Sequence, residues 1–193
     1  MAVRIDRIVT RGGDKGETSL GDGTRLSKAD LHIEAIGVLD ETNATIGVLR
    51  SHVDPGDPIL SDRLMAVQNL LFDMGGDLCM PEGSARAKRV STDILPALEA
   101  EIERLRACQA PLKSFVLPGG TVAAAWAHVA RTAVRKAERT IIALSQEKTI
   151  NPAMGPILNR LSDYFFVLSR HLNEDGRADV LWQPGASLFS GGA

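Results

Sequence analysis

Cysteine is nearly absent. The 193 residues hold only Cys79 and Cys108, 29 positions apart and in no C-x-x-C arrangement. That excludes a disulfide framework and a structural zinc site, and makes reduced thiols the expectation. Charge of one sign is missing too: 22 Lys+Arg stand against 24 Asp+Glu, a formal net charge of −2, with no run of like charge. Nucleic acid and membrane surfaces therefore drop out as generic partners. No long apolar run occurs, and the opening MAVRIDRIVTRGGDKG lacks both an apolar signal core and an Arg/Ser-rich amphipathic helix. The expectation is a cytoplasmic protein without a transmembrane segment. The four histidines, His32, His52, His128 and His171, show no metal-ligand spacing and read as surface or satisfied core residues. There is no internal repeat, low-complexity tract or alternating β/α pattern, and the length suits one domain with one core.

What is present begins with TRGGDKGETSLGDG, residues 10–23, where five glycines sit among Thr10, Arg11, Lys15, Thr18 and Ser19. Consecutive amides in such a turn form a concave nest for an anion, and glycine lets the backbone approach it closely. A phosphate is the first reading. The stretch nevertheless matches neither the P-loop nor the dinucleotide fingerprint. A plain glycine-rich hairpin or a mobile arm remains the alternative on these residues alone.

Beyond it the texture is helical, with apolar residues at three and four spacing. The pattern predicts helices from Ser27, read as the N-cap, to about Ser51, and from Pro58 to Cys79. Further helices are expected from Ser91 to before Pro111, from Thr121 to Glu147, and from Ile157 to Asn173. MPEGSARAKRV reads as a mobile polar loop, PLKSFVLPGG as an extended connection, and Asn151-Pro152 with Gly155-Pro156 as a turn. The fold class is thus all-α: a five-helix bundle with a short, β-paired glycine-rich N-terminal arm. A single domain spans 1–193, divided into an arm (1–26), a bundle (27–175) and an irregular tail (176–193).

Three polar groups exceed what a bundle needs. On a helical wheel Asp40 falls among Ile33, Ile36, Gly37, Asn43, Ala44 and Gly47, so a desolvated carboxylate is expected, paired with a cation. The rest of that helix is also apolar, which suggests cover on more than one side, by a central position or a subunit interface. A buried ion pair that only fixes register is the alternative. The fourth helix carries Arg131, Arg135 and Glu138 on one side with Arg139 beside them, a phosphate clamp or else a solvated Arg/Glu face. The fifth places Asn159, Asp163 and Arg170 on one stripe with Phe166, facing a ligand or cross-linking helices.

TRGGDKGETSLGDG, GVLDETNATIG, FVLPGG, ARTAVRKAER and LNRLSDYFFVLSR, in this order, resemble the ATP:cob(I)alamin adenosyltransferases of the propanediol-utilisation type. The likeness runs from about residue 8 to 184. Departures are Thr42 in the D-E-L-N block, Lys136 in R-R-A-E-R and Gly12 where threonine is common. The resemblance implies a ferritin-like, cobalamin adenosyltransferase-like bundle, assembled as a homotrimer with active sites between subunits. It implies transfer of the 5′-deoxyadenosyl group of ATP to cob(I)alamin, with release of triphosphate. Thr10, Gly12, Gly13, Asp14, Lys15, Thr18, Ser19 and Lys28 would surround the phosphates, and Arg135 would hold the triphosphate. Glu138 and Asn159 would support the nucleotide and its Mg²⁺, with no dedicated protein metal site. Asp40 would pair with Arg131 across the subunit boundary, and Phe115 would lie beneath the corrin. A cob(II)alamin reductase and a B12-dependent enzyme are the implied partners. A non-catalytic, ATP-gated adenosylcobalamin carrier for a mutase is the alternative from another class. Phosphoryl transfer is weaker, because no base or acceptor site accompanies the arginines.

Overall fold

The computed structural model describes residues 8–80, 84 and 89–186. Of the expected polar loop at 80–90, residues 81–83 and 85–88 lie outside the described residues, as does Phe189 in the tail. The glycine-rich arm forms a small hairpin, β1 (Glu17–Ser19) antiparallel to β2 (Arg25–Ser27), with Thr18 opposite Leu26. Asp22 closes it by accepting from the Thr24 amide (2.9 Å) and hydroxyl (2.7 Å), the local side-chain bonding that makes aspartate a turn former.

Five helices follow: α1 (Leu31–Ser51), α2 (Pro58–Leu78), α3 (Leu95–Arg106), α4 (Val122–Glu147) and α5 (Met154–His171). Asp57 caps α2, Thr121 caps α4, and Ser91 caps the 3-10 turn Thr92–Ile94 that leads into α3. The expected cap at Ser27 is wrong. Ser27 ends β2, and the N-cap of α1 is Asp30, which accepts from the His32 amide at 2.8 Å and meets Lys148 Nζ at 3.1 Å. Start and end of α5 also differ from expectation. Gly155 and Pro156 lie in its first turn, where proline lacks only a donor that has no helical partner anyway.

α4 packs against both α1 and α5, α1 also meets α2, and α3 lies on α5. The centre is dense because α4 offers Ala123, Ala127, Ala130, Val134 and Ala137, all buried, so that neighbouring backbones approach closely around Ile46, Leu49, Met154 and Phe165. The wheel reading of α1 is corrected here. Its buried side carries Ala35, Val38, Leu39, Thr42, Asn43, Ile46 and Leu49, whereas Gly37, Asp40, Ala44 and Val48 face outward. Where apolar residues ring most of a helix, the bulkier face gains more by burial and turns inward. A fully buried carboxylate is instead found at Asp77 on α2, which accepts from the Val90 amide (3.0 Å) and Asn151 Nδ2 (2.7 Å) and pairs with Arg89.

The tail is not wholly irregular. Val116 and Leu181 form an antiparallel bridge that brings the tail back onto the FVLPGG connection. Arg170, expected on a polar stripe with Asn159 and Asp163, turns inward. Its Nε donates to Asp179 at 2.7 Å and its Nη2 to the Ala110 carbonyl at 3.1 Å. Asn173 completes this knot, accepting from the Thr121 amide (3.0 Å) and donating to the Gly119 carbonyl (3.2 Å). Gly120 is required beside it: φ is +102° and a Cβ there would lie 2.0 Å from Asn173 Oδ1. Asn173→Ala should lower unfolding free energy in urea by about 2 kcal/mol, because buried donors and acceptors lose their partner.

Candidate functional site

α4 organises the expected residues along its axis. At 26 residues it is about 39 Å long. Its N-terminus receives the Phe115 connection, its middle carries Arg131, Arg135 and Glu138, and Lys148 at its C-cap holds Asp30 beside the arm.

The middle is positive and uncompensated. Arg131 is partly buried, its Nε has no hydrogen-bond partner among the described residues, and Arg135 is exposed without an ion pair there. Burial, and then the charge of Arg135, hold the Arg131 pKa below the usual guanidinium range. Nearby acids do not relieve this. Glu41 is held by Lys136 at 2.7 Å, and Glu138 Oε1 accepts from Asn159 Nδ2 at 2.9 Å. Asn159 Oδ1 in turn accepts from Arg160 at 3.3 Å, and Arg160 binds Glu99 at 2.9 Å. A pair of cations beside an oriented carboxylate and amide suits an oligophosphate and its cation.

His128, one turn before Arg131, is buried with both ring nitrogens unpartnered among the described residues, so the expectation of a satisfied core histidine fails. Burial and the Arg131 charge push its pKa down against a smaller upward pull from Asp179, which keeps the imidazole neutral.

In the arm, Thr10 Oγ1 accepts from the Gly12 amide at 3.5 Å, and the Lys28 amide donates to Gly16 at 2.8 Å. The Lys28 ammonium lies over the turn, 2.9 Å from where a Cβ on Gly13 would stand. Asp14, Lys15 and Ser19 are exposed around it, with Thr18 half-buried. Arg25, which sequence reasoning missed, braces the whole turn by donating to Gly12 O (3.0 Å), Ser19 Oγ (3.2 Å) and Glu17 (3.3 Å). Its position opposite Ser19 in the hairpin was the available signal.

The third group is apolar. Phe115 is 77% exposed, and Trp182 lies against it with ring centroids 6.1 Å apart. The two rings line an open cavity of about 620 Å³ together with Leu112, Gln183 and Pro184. Within one chain, no hydrogen bond or ion pair among the described residues joins the arm to Arg131, Arg135, Glu138 or Asn159, and Asp40 is exposed and does not meet Arg131.

The family model for cobalamin adenosyltransferases matches residues 8–172. The chain belongs to the cobalamin adenosyltransferase family. It is 42% identical to the cobalamin adenosyltransferase of Cupriavidus metallidurans, covering 95% of this chain and 97% of that one. It is equally 42% identical to the corrinoid adenosyltransferase of Mycobacterium tuberculosis, over 96% of this chain and 97% of the relative. Among solved structures it is similar to the PduO-type ATP:corrinoid adenosyltransferase of Lactobacillus reuteri. A phenylalanine-to-histidine variant of that enzyme, complexed with cobalamin and ATP, superposes with a TM-score of 0.86 at 37% identity, covering 92% of this chain and 97% of the other. An arginine-to-lysine variant complexed with ATP gives 0.85 at 38% identity, over 91% and 100%. As in these adenosyltransferases the fold is helical, and no helix among the described residues is long and apolar enough to cross a membrane.

Proposed function

We propose that this adenosyltransferase moves the 5′-deoxyadenosyl group of ATP to the cobalt of cob(I)alamin and releases triphosphate. The observation that carries the reading is the uncompensated pair Arg131 and Arg135 beside the Glu138–Asn159 hydrogen bond, on the same helix that receives the exposed Phe115 connection. The cobalt(I) electron pair forms the cobalt–carbon bond to C5′ while the C5′–oxygen bond breaks, and those bonding electrons leave on triphosphate. No side chain has to act as nucleophile or base. The protein's work is alignment, charge neutralisation and exclusion of water.

Arg135 takes the triphosphate oxygens, and the arm lays the amides and side chains of Thr10, Gly12, Gly13, Asp14, Lys15, Thr18, Ser19 and Lys28 around the phosphates. Glu138 and Asn159 fit Mg²⁺, which takes one or two carboxylates and completes its shell with phosphates and water. Bound there, it offsets phosphate charge. Phe115 lies against the lower face of the corrin and keeps an axial ligand from cob(II)alamin, so that a separate reductase can deliver the electron.

Three copies assemble around these sites. This is supported by the outward face of α1, where Asp40 has no ion pair among the described residues, and by Arg131 Nε, unpartnered among them, which Asp40 of a neighbouring copy would satisfy. Such a contact also lets the arm of one copy close over α4 of another. Product then passes to a B12-dependent enzyme.

The test is anaerobic incubation with ATP, Mg²⁺ and chemically reduced cobalamin. Loss of the cob(I)alamin absorbance should accompany light-sensitive adenosylcobalamin and equimolar triphosphate. Release of ADP instead would mean phosphoryl transfer, and tight binding without product would mean a carrier.

A further inference from the structure

Phe115 does not stand alone at the tip of its connection. The bridge between Val116 and Leu181 sets Phe115 directly opposite Trp182, with both rings on one face of the short two-stranded segment. Three hydrogen bonds hold this register: the Leu117 amide to Val180 O (2.8 Å), the Trp182 amide to Phe115 O (2.7 Å) and the Ser114 hydroxyl to Trp182 O (2.6 Å). The rings are tilted at 57° to each other, with their centroids at a separation usual for aromatic pairs.

The segment is also anchored from behind. Arg170 ties Asp179, just before the tail strand, to Ala110 at the start of the connection, and Asn173 fastens the connection's end at Gly119 and Thr121. Arg170 and Asp179 are almost wholly enclosed, so this anchor is rigid compared with the exposed pair it carries. Main-chain bonds therefore fix where Phe115 starts, and Trp182 is the aromatic ring that lies against it among the described residues.

We propose that Trp182 is a positioning residue: it holds the Phe115 ring in the orientation that excludes a lower axial ligand from cobalt(II). The inference rests on the corrinoid reading of the site and adds a second aromatic to it. Trp182 acts through Phe115 and takes no part in phosphate binding, which lies further along α4. Its effect should fall on the step that needs ligand-free cobalt(II).

The experiment compares the unsubstituted full chain with W182A and W182F. With ATP bound, electron paramagnetic resonance measures the four-coordinate share of cob(II)alamin, and adenosylation is timed from cob(II)alamin with a chemical reductant and from prereduced cob(I)alamin. W182A should reduce the four-coordinate share and slow the reaction from cobalt(II) roughly tenfold, against about twofold from cobalt(I), through lost alignment of one ring. W182F should recover most of both, and ATP affinity and circular dichroism should match the unsubstituted chain, since Trp182 is 45% exposed. An unchanged four-coordinate share in W182A, equal slowing from both starting states, or no recovery in W182F overturns the proposal. If the unsubstituted chain makes no adenosylcobalamin even from cobalt(I), the adenosyl-transfer reading falls and this inference with it. If it does and W182A behaves the same, the inference alone falls.

Discussion

Arg135→Ala should slow adenosylation of prereduced cob(I)alamin by about 100- to 1000-fold, the scale on which losing one preorganised charge-stabilising group acts. Triphosphate leaves carrying several negative charges, and Arg135 is exposed on α4 with no carboxylate consuming its charge among the described residues. Its neighbour Arg131 is less able to substitute, because it is partly buried and one helical turn away. Lysine at 135 should restore part of the rate, since it returns the charge without the two-pronged hydrogen bonding of a guanidinium. Single-turnover absorbance at saturating ATP makes the comparison. A rate within threefold of the unsubstituted chain would remove Arg135 from the triphosphate.

Phe115→Ala should divide the reaction differently. From cob(II)alamin and a chemical reductant, turnover should fall about 100-fold, whereas from prereduced cob(I)alamin the loss should be only a few-fold. The side chain is 77% exposed and lies against Trp182, so its removal costs the fold little. Without the ring, water or another donor reaches cobalt(II) and stabilises the oxidised state, which makes the electron harder to deliver. Both rates come from one preparation, with the reductant varied. Equal losses from the two starting states would place Phe115 in corrinoid binding and leave it no role in reduction.

Helix content was legible because α2 and α4 carry strong local signals: Asp57-Pro58 and Thr121 at their starts, and an apolar or alanine face at regular spacing. The grouping of Arg131, Arg135 and Glu138 on one side of α4 was legible for the same reason, since helical spacing translates directly into a shared face, whereas the meeting of Glu138 with Asn159 of α5 was implied only by the family resemblance. Asp40 failed on that logic. A wheel shows which residues share a side, yet in α1 nearly every side was apolar, and only the bulk of Leu39, Ile46 and Leu49 decided which turned inward. Arg170 follows the cross-linking alternative, but its partner, Asp179, lies beyond a reversal of the chain that local periodicity does not encode. Trp182 was hidden by the same reversal: 67 positions separate it from Phe115, and only the bridge between 116 and 181 makes them neighbours.

The 26-residue α4 also limits how such a chain can change over time. Because the aromatic floor is fastened at one end of a continuous helix and the cations project from its middle, their separation is set by residue count. One residue added between Thr121 and Arg131 would swing both arginines by about 100° around the axis and carry them about 1.5 Å further off. The exposed residues 54–56 can gain or lose neighbours with little effect on the site. Insertions and deletions among descendants of this chain should accordingly gather outside α4, which works as the ruler between its two substrates.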